Sequence, residues 1–356
     1  MKVLVTGATG YVGGRLVPRL LESGHEVRTT TTNPDKPAPW WSDRVETVRM
    51  DIADAADVDA ALAGMDAVYY LVHGMGGGDD FAEKDRRAAT NVARAVEAHG
   101  TSRVVYLSGI VPPADPDELS AHITSRHEVE QILAATPATT LTLRAAVLMG
   151  SGSTSFEIIR QVSERMPVQT VPTWMNSDVQ PIAVVDAIEA LLGALTAPVS
   201  TRSYDIGGPE RMPYGDLLDR YTDITGLERP QVEVPFLPTD LVGTLVGALT
   251  DVPSSTVQAL VESLHHDMVC AEEDFRADLL PTGYHLMGLD EAIRRSLADP
   301  RTEVPEDPES ADPMGPMPQD PSWASGGDDQ PLLAKASDAV RGVVEQVLPG
   351  RGSDRG

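Results

Sequence analysis

The stretch TGATGYVGG at residues 6–14 decides the fold of this chain. It follows directly on the aliphatic run Lys2-Val3-Leu4-Val5 and leads into a segment with helical periodicity. A glycine at position 7 permits the tight turn that links a strand to a helix, and a glycine at position 13 lets the helix pack closely on the strand. Gly10 leaves the backbone open to a phosphate group, which the free N–H groups and the positive dipole end of the helix would bind. The motif therefore predicts a strand, a turn and a helix with a phosphate site at the helix start.

Aliphatic runs and helical segments alternate along residues 2–150. Strands are predicted at Lys2–Thr6, Glu26–Thr31, Val45–Met50, Ala67–Val72, Arg103–Leu107 and Thr140–Val147, and helices at Tyr11–Glu22, Ala55–Leu62, Phe81–His99 and Ser120–Ala134. This order is typical of an α/β fold with a doubly wound parallel sheet of the Rossmann type, whose strands end along one edge where ligands bind. Together with the glycine turn, it predicts a domain over residues 1–150 that binds a nicotinamide dinucleotide.

The remaining chain is expected to divide into three parts. Residues 151–298 would form a smaller C-terminal substrate lobe that interleaves with the first domain. Its apolar segment Pro235–Val252 is interpreted as core, with a pocket wall or a partner surface as the alternatives. Residues 299–331 are rich in Pro, Asp, Gly and Ser and lack periodicity, which predicts a disordered linker. Apolar residues then recur at helical spacing and predict a short amphipathic helix over 332–348.

The composition argues against several classes of protein. The chain has 54 acidic and 28 basic residues, and its net charge of −26 repels nucleic acids and anionic membranes. The longest apolar stretch, Leu241–Leu249, is far shorter than the ~20 residues of a membrane span. Cys270 is the only cysteine, and the first strand begins at Lys2, which leaves no space for a signal peptide. We therefore expect a cytoplasmic protein with a small-molecule substrate and without a nucleic-acid partner, a membrane span or a metal site.

The ends of the second and third predicted strands bear on the choice of cofactor. In dinucleotide sites of this kind an acid at the end of the second strand bonds the adenosine ribose, whereas a cation there favours the 2′-phosphate of NADP. The uncharged residues Thr32 and Asn33 follow the second predicted strand, so the site permits both NAD and NADP, with a slight preference for NADP. Asp51 and Ile52 would lie beside the adenine, although a helix N-cap is the competing role for Asp51. The predicted cofactor contacts are Gly7, Thr9, Gly10, Tyr11, Val12, Gly13, Thr32, Asn33, Asp51, Ile52, Leu71 and Val72.

The motifs of this chain resemble those of the extended and atypical short-chain dehydrogenases/reductases, particularly the NmrA-like NAD(P)H-binding proteins. The likeness covers residues 1–298 and includes TGATGYVGG, Asp51-Ile52, YYLVHGMG at 69–76, RVVYLSG at 103–109, SRHEVEQIL at 125–133, LRAAVLMGSGS at 143–153 and QPIAVVD at 180–186. The resemblance implies an oxidoreductase or epimerase that acts on a carbonyl or alcohol substrate, with a non-catalytic NAD(P)H sensor or accessory protein as the alternative. Homodimers are common in this family, which makes a homodimer one expectation for this chain.

The resemblance also implies catalytic residues, with one departure from the family pattern. Active members use a Tyr-x-x-x-Lys pair and a serine of the fifth strand. Ser108 falls at the serine position, whereas His122 and Arg126 replace the tyrosine and the lysine. Arg126 keeps the positive charge and could still bond the nicotinamide ribose, although its guanidinium does not exchange protons near neutral pH. His122 could replace tyrosine as the acid/base because histidine titrates near neutral pH; an exposed histidine at a helix start is the alternative. His73, at the end of the fourth strand, could donate to a substrate carbonyl or orient the cofactor, unless it lies in a capped strand end beside a surface loop. The retained serine and the substrate lobe favour an enzyme over a sensor.

Overall fold

A computed structural model of the chain describes residues 1–35, 38–72, 80–115, 118–235 and 237–325. His73 and the predicted helix over 332–348 lie outside these ranges.

The strands of the structure are β1 (Lys2–Val5), β2 (Glu26–Thr31), β3 (Glu46–Arg49), β4 (Ala67–Tyr70), β5 (Arg103–Gly109), β6 (Thr139–Ala145), β7 (Val147–Met149), β8 (Gln169–Pro172), β9 (Asp178–Val179), β10 (Pro181–Ala183), β11 (Arg202–Ile206), β12 (Met212–Pro213) and β13 (Gln231–Val234). Its helices are α1 (Tyr11–Glu22), α2 (Ala55–Leu62), α3 (Phe81–His99), α4 (Ala121–Ala134), α5 (Thr154–Arg165), α6 (Val184–Thr196), α7 (Tyr214–Thr225), α8 (Thr239–Leu249), α9 (Ser254–Ser263), α10 (Phe275–Asp278) and α11 (Leu289–Arg295).

Seven parallel strands form the central sheet in the order β3-β2-β1-β4-β5-β6-β11. This order confirms the predicted doubly wound fold, in which the direction of winding reverses between β1 and β4. Successive residues of a strand point to opposite faces, so Val3 and Val5 join one hydrophobic cluster and Leu4 joins the other. Because both faces are covered, the strands are continuous aliphatic runs.

The seventh strand comes from the region assigned to the substrate lobe. β11 pairs in parallel with β6, from Arg202 opposite Leu141 to Ile206 opposite Ala145. In addition, α6 packs against α1, so the chain after residue 150 contributes to both the sheet and its helical layer. The strand predicted at Thr140–Val147 is interrupted, because its last part becomes β7 and pairs with β10 instead.

Other later elements form smaller units outside the central sheet. β8 pairs with β13, β9 pairs with β12, and the helices α8 and α9 pack against each other. The apolar segment Pro235–Val252, interpreted as core, is largely α8, which buries Val242 and Gly243 and leaves most of its other residues half-buried or exposed. Within the described ranges, no helix is both long and apolar enough to cross a membrane.

The prediction of a disordered linker over 299–331 is wrong as far as residue 325. Met314 and Met317 are buried, and Asp320 forms a buried ion pair with Arg15 of α1. We refer to residues 313–325 as the C-terminal segment. Composition was misleading here because a few buried side chains and one ion pair are enough to hold an otherwise polar chain on the surface of a folded domain.

Candidate active site

The glycine turn between β1 and α1 forms one end of the candidate site. Gly7 has a φ of +68°, a left-handed conformation that residues with a side chain rarely adopt, and a Cβ there would lie 2.8 Å from the carbonyl oxygen of Leu71. A Cβ on Gly13 would lie 2.3 Å from the carbonyl oxygen of Gly7, so α1 approaches β1 this closely only without a side chain. Gly10 is exposed and is the N-cap of α1, and no side chain caps the first helical turn. The unbonded N–H groups of that turn fit the phosphates of a dinucleotide.

A single cleft of about 520 Å³ connects this turn with the carboxyl ends of β4 and β5. It brings together the proposed catalytic residues Ser108, His122 and Arg126. Of the predicted cofactor contacts, its lining includes Gly7, Thr9, Gly10, Tyr11, Val12, Gly13, Leu71 and Val72. The phosphate end and the catalytic end suggested by the sequence therefore belong to one continuous site.

Four predicted cofactor contacts lie beyond this cleft along the same edge of the sheet. Thr32 and Asn33 are exposed immediately after β2, and Asp51 is exposed soon after β3. Ile52 is half-buried and packs on the hydrophobic cluster beneath α2 and α3. The N-cap of α2 is Asp54, whose carboxylate accepts hydrogen bonds from two N–H groups of the first turn. The alternative role of Asp51 as a helix N-cap is therefore wrong.

The proposed catalytic side chains are supplied by β5 and α4. Ser108 lies near the end of β5, and its Oγ is buried beside Tyr106. His122 and Arg126 are four residues apart, so they share one face of α4. The guanidinium of Arg126 lies against Gly109, the residue after Ser108, because its Nη1 is 3.8 Å from the position of a Cβ on that glycine.

The charge state of His122 differs from the expectation. Burial lowers the pKa of its imidazole from the ordinary value of 6.5 to about 3, and the positive charge of Arg126 acts in the same direction. The expectation that His122 titrates near neutral pH is therefore wrong: at pH 7 the ring is uncharged and can donate a hydrogen bond from one nitrogen only. Burial also lowers the pKa of the Arg126 guanidinium, which nevertheless stays protonated because its ordinary pKa is so high.

The structure adds a wall to the cleft that the sequence analysis missed. Pro321 and Trp323 of the C-terminal segment line the cleft, together with Ala259 and Leu260 of α9. The signal that could have revealed this wall is a tryptophan in a stretch that is rich in Pro, Asp, Gly and Ser. A large apolar ring in such a stretch indicates a point at which the chain is anchored.

Arg15 holds the C-terminal segment against α1. Its guanidinium binds the two carboxylate oxygens of Asp320 at 2.5 and 3.0 Å. It also donates to the carbonyl oxygens of Pro313 and Gly315 at 2.8 and 2.9 Å. The same group lies over the ring of Tyr11, with Cζ 4.1 Å from the ring centroid. One buried cation therefore joins the glycine turn, through Tyr11, to the wall that carries Trp323.

Comparison with known proteins finds a family match in the first half of the chain. Residues 7–173 match the model of a family described as NAD(P)H-binding. The chain is 36% identical over 115 residues to a 3-beta-hydroxysteroid dehydrogenase of Mycolicibacterium neoaurum, a match that covers 30% of this chain and 31% of that protein. It is 26% identical over 276 residues to a 2-alkyl-3-oxoalkanoate reductase of Stenotrophomonas maltophilia, covering 69% of this chain and 82% of that protein. A ceramide reductase of Caulobacter vibrioides is 28% identical over 203 residues, which cover 55% of this chain and 62% of that protein. The chain thus spans about a third of the length of the hydroxysteroid dehydrogenase.

Solved structures with the same fold extend further along the chain. A nucleoside-diphosphate-sugar epimerase of Staphylococcus aureus superimposes with a TM-score of 0.65 at 14% identity, covering 83% of this chain and 100% of that protein. A UDP-glucose 4-epimerase of Thermotoga maritima superimposes with a TM-score of 0.62 at 15% identity, covering 83% of this chain and 97% of that protein. At these identities the superpositions show a shared fold.

Proposed function

We propose that this chain, whose motifs resemble those of the atypical NmrA-like short-chain dehydrogenases/reductases and whose residues 7–173 match an NAD(P)H-binding family, reduces an apolar carbonyl compound with NAD(P)H. The observation that carries this proposal is the single cleft that joins the glycine turn to Ser108, His122 and Arg126. A protein that only stores or senses the cofactor has no need of hydrogen-bond donors at the end of the cleft opposite the phosphate site. Relatives named as reductases and dehydrogenases also favour an enzyme over the sensor alternative.

The residues of the glycine turn fit the cofactor. Gly7 and Gly13 allow the close approach of β1, α1 and the end of β4, and the uncapped first turn of α1 would bind the pyrophosphate. When bound, the reduced nicotinamide supplies a hydride to the carbonyl carbon and becomes oxidised, while the carbonyl oxygen takes a proton and the product is an alcohol. Thr32 and Asn33 carry no charge that would reject a 2′-phosphate, which supports a preference for NADP.

The side chains at the other end of the cleft stabilise the negative charge that develops on the carbonyl oxygen. The Oγ of Ser108 and the neutral ring of His122 donate hydrogen bonds to that oxygen, and Arg126 adds a fixed positive charge. Since the pKa of His122 is about 3, its ring is a neutral imidazole at pH 7, which can donate a hydrogen bond but does not act as a general acid. In this proposal the proton that completes the alcohol comes from water, and His122 orients the substrate.

The lining of the cleft indicates the class of substrate. Leu107, Ile110, Leu148, Leu260 and Trp323 give the cleft a largely apolar surface. Such a surface favours a ketone with a hydrocarbon body over a sugar nucleotide, whose hydroxyl groups would be left without partners. The relatives named for hydroxysteroids, alkyl oxoalkanoates and ceramides support the same class. A homodimer and a cytoplasmic location stay predictions.

The proposal is tested by following the absorbance of NADPH and NADH in the presence of medium-chain ketones, aldehydes and quinones. We expect turnover of at least one apolar ketone, and a loss of about 100-fold in kcat/KM for Ser108→Ala, the size of effect seen when one hydrogen-bond donor to a developing oxyanion is removed. Ser23→Ala, which changes an exposed serine at the far end of α1, is the matched control and should keep full activity. Tight cofactor binding without turnover above the Ser108→Ala level would instead support the sensor alternative.

A further inference from the structure

We infer that Trp323 is a cofactor-binding residue and that Arg15, which does not itself line the cleft, positions it there. The C-terminal segment then closes the cleft over the dinucleotide. This inference needs a bound nicotinamide cofactor, which the matched family model indicates, but it does not need the proposed reduction. It can therefore be tested by binding alone.

The C-terminal segment lies against the starts of two helices, both of which contribute lining residues to the cleft. A Cβ on Gly14 of α1 would lie 2.6 Å from Cγ of Gln319, so the segment comes this close to α1 only where the helix has no side chain. In the same way, a Cβ on Gly152, just before α5, would lie 2.6 Å from the carboxyl carbon of Asp320. The segment therefore bridges the first turns of α1 and the turn that precedes α5.

Trp323 follows directly after this bridge. It is three residues from Asp320, and three residues span at most about 11 Å. Trp323 lines the same cleft as Gly10 and Tyr11, whose turn fits the pyrophosphate of the cofactor. The residue is only half-buried, so part of its indole ring is open to a ligand. A dinucleotide bound at the glycine turn would cover this part, and the ring would shield the cofactor from water.

Arg15 fixes the position of this ring. Asp320 is the only charged residue of the C-terminal segment, and it pairs with Arg15. The same guanidinium donates to the carbonyl oxygens of Pro313 and Gly315 at the start of the segment, and to that of Ser151 at 3.1 Å. One side chain thus binds two parts of the segment and the turn before α5. A change at Arg15 should therefore displace the indole ring, although Arg15 does not line the cleft.

Docking of the segment and binding of the cofactor should then stabilise each other. If the cofactor binds more tightly when Trp323 is in place, it must by linkage also hold the segment in place, and by the same factor. A segment with a purely structural role would show no such coupling, because its docking would have the same free energy with and without the cofactor. The coupling therefore separates a binding role from structural support.

The first test measures the affinity for NADPH by its fluorescence, in the full chain and under conditions in which each variant is folded. We expect Trp323→Ala to raise Kd about tenfold, because the contact with the apolar ring is lost. Arg15→Met should raise Kd by a similar factor, and Arg15→Lys, which keeps the charge without the forked donors, by a smaller one. Arg19→Met and Trp174→Ala change an arginine of the same helix and a half-buried tryptophan, both outside the cleft, and should leave Kd unchanged. A Kd that Trp323→Ala does not change would overturn the inference.

The double variant Arg15→Met/Trp323→Ala tests whether Arg15 acts through the tryptophan. If it does, Arg15→Met has no further effect once the ring is absent, so the Kd of the double variant equals that of Trp323→Ala. Losses that multiply would assign the effect of Arg15 to Tyr11, whose ring lies under the guanidinium, and would overturn the positioning role.

The second test uses the unaltered protein and does not depend on the folding of any variant. Met317 and Ser151 donate their N–H groups to Asp320 and to the carbonyl oxygen of Met314, so their hydrogen exchange reports on the docked segment. We expect saturating NADPH to slow this exchange about tenfold more than it slows exchange in α11, which contributes no residue to the cleft. Equal slowing in both places would overturn the inference.

These outcomes are distinguishable from those of the turnover assay. A protein that shows the coupling but reduces no carbonyl compound would refute the proposed reduction and keep the closing segment. A protein that reduces ketones without the coupling would keep the reduction and overturn the inference. A protein that binds no NADPH would refute both.

Discussion

Replacing Arg15 by methionine removes the cation that holds the C-terminal segment on α1. The side chains of Arg15 and Asp320 are only 1% and 6% exposed, and two short contacts join them. Breaking a buried pair from one side leaves the other charge unpaired, which costs about 3–5 kcal/mol. For a chain of this size, we expect Arg15→Met to lower Tm by roughly 4–7 °C.

The amide protons of the C-terminal segment provide a local measurement of the same change. Met317 donates its N–H to Asp320 at 2.8 Å, and Ser151 donates its N–H to the carbonyl oxygen of Met314 at 2.9 Å. Both hydrogen bonds depend on a docked segment, so hydrogen exchange at these amides should become faster in Arg15→Met, whereas exchange in β1 should change only as much as the global stability does.

Arg19→Met is the matched control because Arg19 lies one turn further along the same helix. Its side chain is 43% exposed and pairs with Glu22 and Glu189, so the loss of these pairs should cost less than about 1 kcal/mol. If Arg15→Met lowers Tm no more than Arg19→Met does, and the amides of the C-terminal segment keep their slow exchange, the role assigned to Arg15 is refuted.

Three further predictions concern the pH response, the cofactor and the glycine turn. The pKa of His122 is about 3 in the folded protein and 6.5 in an unfolded chain, so below pH 6.5 the unfolded state takes up the proton first and stability falls as the pH falls. This half-buried residue should lower the free energy of unfolding, measured with urea, by about 1–2 kcal/mol between pH 8 and pH 5. In His122→Gln the decrease over that range should be smaller by the same amount, and an equal decrease in both proteins would contradict a lowered pKa. Asn33→Asp places a negative charge where a 2′-phosphate would lie and should shift the ratio of NADPH to NADH affinity by about tenfold towards NADH in fluorescence titrations, whereas an unchanged ratio would place the adenosine ribose elsewhere. Gly13→Ala forces a Cβ to within 2.3 Å of the carbonyl oxygen of Gly7, so it should lower the free energy of unfolding by about 1–3 kcal/mol and weaken NADPH binding, and unaltered values of both would show that α1 can move away from β1.

Local features of the chain could be read from the sequence because they depend on residues close to one another. The predicted bounds of α1, α2 and α3 coincide with those of the structure, since helical periodicity and end signals act within a few turns. The turn at residues 6–14 was predicted for the same reason: the need for glycine at positions 7 and 13 arises from contacts within and next to the motif. The doubly wound parallel sheet was predicted from the alternation of strands and helices along the chain.

The tertiary structure alone decided the features that depend on distant contacts. The pairing of β11 with β6 joins segments about sixty residues apart, and the wall that carries Trp323 meets α1 only because Arg15 lies some three hundred residues before Asp320. The charge state of His122 could not be predicted from the sequence either, because burial and the nearby Arg126 lower the pKa of its imidazole below the ordinary value. Periodicity and motif spacing describe neighbours along the chain, whereas burial and charge pairing are set by neighbours in space.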